Sequence, residues 1–296
     1  MVEFATLFVI ATFTFGSSFC CLALWTIQKS TALRESFGLL CKFQMLTDLC
    51  LLTVTSVFSL IPIEWAPADS SFLSIVITYI AEISYHYSSA MHVLFAINRF
   101  IYIVFPTLQQ AWRKATPKIL VLSAIVTAFH TIMMSILDLN LYWVYDRVTY
   151  IWHMTHTEWT DFYVKYFEVL WSTCEISLIL ILDTVTFGFI LFKKFKVSRN
   201  DVHMKRRVES RLVLQSFCQC IPTTTVNVVY FFILPHTISP HLKIVFSSIW
   251  IVTNLLDALV IILFHFPQAF MNHRRRVSKL VGSKTMGTSA LSDSAA

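Results

Sequence analysis

Charge is scarce in this chain of 296 residues: Asp, Glu, Lys and Arg together make up only 14%, and glycine occurs five times. A soluble domain carries about 25% charged residues, so the deficit argues against a soluble enzyme and against a nucleic-acid binder. So few glycines leave no phosphate-cradling loop; there is also no GxSxG elbow and no HExxH pair. The chain is therefore not expected to be an enzyme. No Asn-x-Ser/Thr triplet is present, which excludes N-glycosylation. Cysteine is confined to apolar stretches, as Cys20, Cys21, Cys41, Cys50, Cys174, Cys218 and Cys220. No outer-face disulfide can be built from them, and they read as small apolar fillers. His153-x-x-His156 offers two metal ligands without the further ones that zinc requires. No cofactor and no metal centre are expected. Lys243, at the outer edge of the last apolar segment, is too shallow to hold a retinal Schiff base.

What is abundant is apolar length. Hydrophobic residues make up 56% and the mean hydropathy is +0.66. A spanning helix needs roughly 20 apolar residues, and seven such segments are expected near 3–27, 38–62, 72–97, 118–138, 166–192, 210–234 and 242–264. The fold class is all-α, a seven-helix transmembrane bundle over 1–270, followed by a disordered tail over 271–296. All of the 23 basic residues except Arg147, Lys165 and Lys243 fall in alternate connections and the tail. The positive-inside rule then puts the N-terminus outside and the tail in the cytoplasm. The first segment lacks a basic leader and is too long for a signal peptide, so it reads as a signal anchor. Phe264 to Phe270 could lie along the inner leaflet as a short amphipathic helix before Arg274–Arg276. The aromatic outer loop over 139–165, with Tyr142, Trp143, Tyr145, Tyr150, Trp152 and Trp159, is expected to anchor the bundle rim at the interface.

Ionisable groups inside a bilayer are expensive and face the bundle interior; the candidates are Asp48, Glu82, Glu175, Asp183 and Asp257. Asp48 with Asn254 and Asp257 forms either a polar network able to seat a sodium ion or plain interhelical glue. In the third segment Tyr79, Glu82, Tyr85, His86, Ser89 and His92 recur every three or four residues, so they share a face. Glu82, Tyr85 and His86 would line a cavity open to the exterior, with Glu175 approaching from helix five. The other reading pairs Glu82 only with His86, at i and i+4. Arg99 closes the same stripe at the inner boundary. Pro222 is the only proline deep in an expected span and would let helix six pivot.

These features resemble the nematode chemosensory serpentine receptors of class x, within the seven-helix G-protein-coupled receptors. The residues that carry the likeness are Ser36-Phe37-Gly38, Pro62 with Trp65, Asn98-Arg99-Phe100 followed by Phe105-Pro106, and Glu209, Gln215 and Gln219. The likeness extends from about 30 to 265. It implies a rhodopsin-like bundle in which Arg99 locks the resting packing and then meets a G protein. It also implies that Asp48 and Asp257 are the buried acids of helices two and seven. The chain departs from amine and peptide receptors in several places. Ala258 follows Asp257 where proline is usual, Cys220-Ile221 stands where a tryptophan switch would be, helix five has no proline, and Ser74 occupies the usual disulfide position. The expectation is a chemoreceptor in the plasma membrane, including that of sensory cilia, with an external small-molecule ligand and a heterotrimeric G protein as partners. Asn98, Arg99, Phe100 and Pro222 would serve coupling. The competing expectations are a transporter or proton path through the intramembrane carboxylates, and a receptor paralogue that does not signal.

Overall fold

The computed structural model describes residues 2–30, 33, 35–62, 65, 71–196, 214–215, 218, 221–222, 224–266 and 270. Glu209, Gln219, Cys220, the 197–209 part of the basic third connection, the 267–269 part of the amphipathic segment and the 271–296 tail lie outside the described residues. The architecture is a helical bundle, as a bilayer demands, because lipid offers no partners for backbone N–H and C=O groups. Helix α1 is Val2–Lys29, α2 Ser36–Leu60, α3 Phe72–Val104 and α4 Gln109–Leu137. Helix α5 is continuous through Thr160–Tyr163, a π turn at Val164–Val169, and Leu170–Lys196. The described part of α6 lies between 214 and 228 and runs into a second π turn, Val229–Ile233. Helix α7 comprises Pro240–Ser247 and Ile249–Phe266.

Proline sets several of these ends. The residue before a proline is pushed out of the α region. Thus α2 stops at Leu60 with Ile61 extended ahead of Pro62, and α3 stops at Val104 ahead of Phe105-Pro106. At its other end α3 is capped by Ser71, whose hydroxyl accepts from the Ser74 N–H at 3.2 Å. Pro106–Leu108 makes one 3₁₀ turn and α4 follows at once, well before the expected start at 118. The polar stretch 109–117 is rich in good helix formers although it is not apolar, so hydropathy alone placed it in a loop. As a result Pro117 lies inside a helix, and Pro222 is not the only proline within a described helix.

Five helices are long and apolar enough to cross a membrane among the described residues: Glu3–Lys29, Ser36–Leu60, Pro106–Leu137, Thr160–Lys193 and Ile249–Phe266. Helix α3 is long enough but carries too many polar groups to qualify, as befits a helix that packs against α2, α4 and α5. Large side chains such as Phe15, Val121, Phe129, Ile181 and Leu263 remain on the outside of the bundle. A water-soluble surface would not tolerate an apolar belt of this extent. The main core is built by Cys20, Ala23 and Ile27 of α1, Met45 and Leu52 of α2, Met91 and Phe95 of α3, and Ala258 and Ile261 of α7.

The connection between α4 and α5 departs most from expectation. It forms an antiparallel hairpin of β1 (Trp143–Asp146) and β2 (Ile151–Met154), paired Trp143 to Met154 and Tyr145 to Trp152. Tyr142, Tyr145 and Trp152 are buried, with Trp152 only 2% exposed. These aromatics cap the end of the bundle instead of decorating its rim. Burying them releases far more apolar area from water than an interfacial perch would. Trp159 alone of the group stays exposed.

Candidate functional site

Three buried polar clusters follow one another along α3; the first and the last meet α5, and the middle one meets α2 and α7. The stripe read from the sequence therefore fans out instead of facing one side. Tyr79 shares a short hydrogen bond with Ser135 of α4, and Ser89 donates to Glu175 of α5 at 2.5 Å. Tyr85 meets Trp250 of α7 edge to face, and His92 reaches Asp257 of the same helix at 3.2 Å.

At the hairpin end, Glu82 Oε1 lies 3.0 Å from His86 Nε2, and Glu168 Oε1 of α5 lies 3.5 Å from that same nitrogen. The pairing of Glu82 with His86 is thus real, and a third group completes it. Glu168 is 2% exposed and its Oε1 forms no hydrogen bond. Behind His86, the ring of His130 stands at 4.2 Å, its Nε2 bonded to the Phe167 carbonyl at 2.8 Å and its Nδ1 unpartnered. Sequence reasoning missed Glu168. The expected helix began at 166, which put this acid at the membrane boundary where a charge costs little. In the fold the helix starts about two turns earlier, and the π turn Val164–Val169 carries Glu168 into the interior. Glu175, expected to approach Glu82, lies about two turns deeper and is held by Ser89 and by the Trp171 indole at 2.9 Å.

A cavity opens beside this triad, with about 40 Å³ open to the centre of a water molecule. Its lining includes Thr78, Glu82 and Tyr85 from α3, Glu168 from α5, Tyr230 and Phe231 from the second π turn, and Trp250 from α7. Both π turns therefore contribute a wall. Trp143 and Trp152 of the hairpin close it. The hairpin is pinned on three sides. Thr78 donates to the Trp143 carbonyl at 3.0 Å, Tyr230 to that of Trp152 at 3.2 Å, and Arg147 to that of Ile61 at 2.9 Å. The Arg147 guanidinium also stacks 4.8 Å over Phe58. Burial pushes the Tyr145 hydroxyl up to about 12, so it stays protonated. The Asp146 carboxyl, although partial burial works against it, is held below its ordinary value by the Thr149 hydroxyl and the Val148 and Thr149 amides. That carboxylate organises the turn, which Tyr150 closes in the left-handed region at φ 61°.

Midway along α3, Ser88 donates to Asp48 Oδ1 at 2.7 Å, and the Gln44 amide sits within 3.4 Å of Ser88, Asp48 and Asp257. Asp48 and Asp257 are thus bridged by a glutamine, with His92 on the far side. Asn254 turns instead to the Trp250 carbonyl at 3.3 Å. Gln44 and Ser88 were missed by sequence reasoning. Their signal was the i, i+4 spacing to Asp48 and to His92 on helix faces that are otherwise apolar.

At the opposite end Arg99, 3% exposed, makes a forked contact with Asp183 of α5 at 3.1 and 3.3 Å. Asn98 accepts from the Ser36 hydroxyl at 2.8 Å and the Trp112 indole at 2.7 Å, tying α3 to α2 and α4. Phe100 packs edge-on against Phe105. Gln215 of α6 meets His265 of α7 at 2.8 Å, and Pro222 is helical and buried further along α6. Gly38 has a packing reason: a Cβ there would stand 1.6 Å from the Leu33 carbonyl oxygen. Among the described residues the cysteines are free.

A comparison with curated proteins finds no match. The sequence model of the family described as serpentine type seven-transmembrane G-protein-coupled chemoreceptor Srx matches residues 8–265, nearly the whole span of the bundle. With its helical architecture, its lipid-facing belt and that match together, the chain belongs to the Srx family of serpentine seven-transmembrane chemoreceptors.

Proposed function

We propose that this chain binds an external small molecule in the cavity beneath the hairpin and signals through a heterotrimeric G protein at its Arg99 end. The observation that carries the reading is the continuity of α3. A single helix lines the cavity through Glu82 and Tyr85, holds the Asp48–Asp257 network through Ser88 and His92, and ends in the Arg99–Asp183 pair. A ligand pressing on Glu82, Tyr85 or Trp250 shifts α3 against α5 and α7, whose other contacts hold the latch. Only a ligand that binds one packing better than the other would move the equilibrium. The distribution of basic residues supports an external hairpin and a cytoplasmic Arg99 end. A sodium ion beside Asp48 would stabilise the resting packing, and Pro222 with the π turn at Val229–Ile233 gives α6 two points of bending. Residence in the plasma membrane, including that of nematode sensory cilia, belongs to the same reading.

The test is G-protein activation in cells that express the chain, screened against pooled metabolite extracts beside Arg99→Ala. The expected result is a response in the parent and a response at mock level in the variant, with equal surface expression. A response that persists undiminished in Arg99→Ala removes the proposed coupling residue.

A further inference from the structure

We infer that Glu82, His86 and Glu168 form a binding site for a divalent first-row transition-metal ion, Zn²⁺ above all, with its remaining coordination position open to the cavity. The inference goes beyond the receptor reading, since holding an ion requires no G protein. The geometry is close to what such an ion needs. Zinc bonds of about 2.0–2.1 Å to nitrogen and oxygen place two donors of a tetrahedron about 3.3 Å apart. The donor atoms here stand 3.0 and 3.5 Å apart along the two edges that meet at His86 Nε2, and all three lie within 4.8 Å of one another. Three protein ligands of mixed imidazole and carboxylate type, with a fourth position left over, are the donor set of a zinc site that accepts an exogenous ligand. Glu82 and Glu168 both line the cavity, so that position faces it.

Charge and hydrogen bonding lead to the same conclusion. With both carboxylates ionised, one protonated imidazole still leaves the cluster net negative, and burial makes that excess expensive. Among the described residues the ion pairs of this cluster include no lysine or arginine. Glu168 Oε1 is fully buried with no well-formed hydrogen bond, only the 3.5 Å approach to His86 Nε2, which leaves its lone pairs available to a ligand. A divalent cation offsets that charge and takes up those lone pairs. Imidazole and carboxylate together suit zinc better than magnesium or calcium, which prefer all-oxygen shells.

The experiment uses the full chain, purified in lipid nanodiscs and titrated with Co²⁺ as a visible reporter, then with Zn²⁺ in competition. The background carries His153→Ala and His156→Ala, which removes the only other paired histidines on the hairpin. One saturable equivalent with the absorption of four-coordinate Co²⁺ is expected, displaced by Zn²⁺ and not by Mg²⁺. Glu168→Gln and Glu82→Gln, both isosteric, should each weaken it by more than about tenfold, because even outer partners of a metal site are worth 10–100-fold. Zn²⁺ should raise the melting temperature of the parent and not that of either variant, a readout that also shows whether the variants fold. Equal Co²⁺ binding or an equal Zn²⁺-induced melting shift in parent and variants overturns the inference, as does an absence of saturable binding in the parent. A chain that never signals yet binds Co²⁺ through this triad leaves the site standing and defeats the receptor reading; a signalling chain without the Co²⁺ bands does the reverse.

Discussion

The two ends of α3 both hold buried charge against α5, and they balance it differently. At the Arg99 end one guanidinium meets one carboxylate in a forked pair, and the neighbouring Asn98 oxygen is satisfied by donors from α2 and α4. At the hairpin end two carboxylates share one imidazole beside a cavity, and one of their oxygens lacks a hydrogen bond. A matched pair holds a packing in place. An unmatched one next to free volume is where a cation or a polar ligand gains the most. Helix dipoles do not account for the contrast, because both clusters lie within helices and away from their termini. What differs is the local backbone: α5 is regular around Asp183 and underwound into a wider π turn around Glu168.

This contrast can be broken from either side. The largest effect is expected for Trp152→Ala. Truncating a buried tryptophan costs about 3–5 kcal/mol where the site cannot collapse. Here the loss falls on the cavity lid, so agonist potency should drop by about 100-fold in a dose–response series while ligand-independent signalling is unchanged. An equal loss of basal and stimulated signal would mean that the hairpin supports the whole bundle. Next comes Asp183→Asn, which keeps the shape and removes the charge facing Arg99. The pair is intermediate between buried and exposed, so its loss is on the order of 2 kcal/mol, a factor of about 30 in the packing equilibrium. Basal G-protein activation should rise, and an unchanged basal level would show that Asp183 does not restrain the resting packing.

Glycine substitutions sharpen the comparison by testing the scaffold at the Arg99 end. Gly38→Ala drives a methyl group into the Leu33 backbone, whereas a Cβ at Gly188 meets nothing within 4 Å. The first should lower the melting temperature in detergent by several degrees. The second should leave it equal or higher, since alanine gains about 1 kcal/mol over glycine in a helix. A similar response at both positions would contradict the tight approach at 38. The smallest effect belongs to Asp146. Its carboxyl is held below the ordinary value in the fold, so its support of the turn is complete above the unfolded carboxylate range and fades as pH falls through the lower folded value. Protection of the Tyr150 amide, which donates to the Asp146 carbonyl at 2.7 Å, should stay constant at neutral and mildly acidic pH and fall only in more acidic solution. Asp146→Ala should abolish that dependence. Loss of protection already near neutrality would point to a different group.

Much of the bundle could be read before any fold was known, because a bilayer turns composition into geometry. Runs of about 20 apolar residues mark helices, and prolines after 61 and 105 mark where two of them stop. Asp48, Glu82, His86, Arg99 and Asp257 stood out by being polar where lipid tolerates little polarity, and each of them is buried in the fold. Glu168, Gln44 and Ser88 did not stand out. Glu168 sat at an assumed boundary, and glutamine and serine cost too little in a span to draw notice.

The sequence by itself therefore determined the family, the number of apolar segments and the polar character of α3, since these depend on residue type and on spacing along a single helix. Only the tertiary structure decided which helix each polar group faces, where the π turns fall and that the α4–α5 connection folds inward as a lid. Those choices depend on the rotation of one helix against another. A single extra residue in a turn changes that rotation by about 100° while leaving the apolar pattern intact.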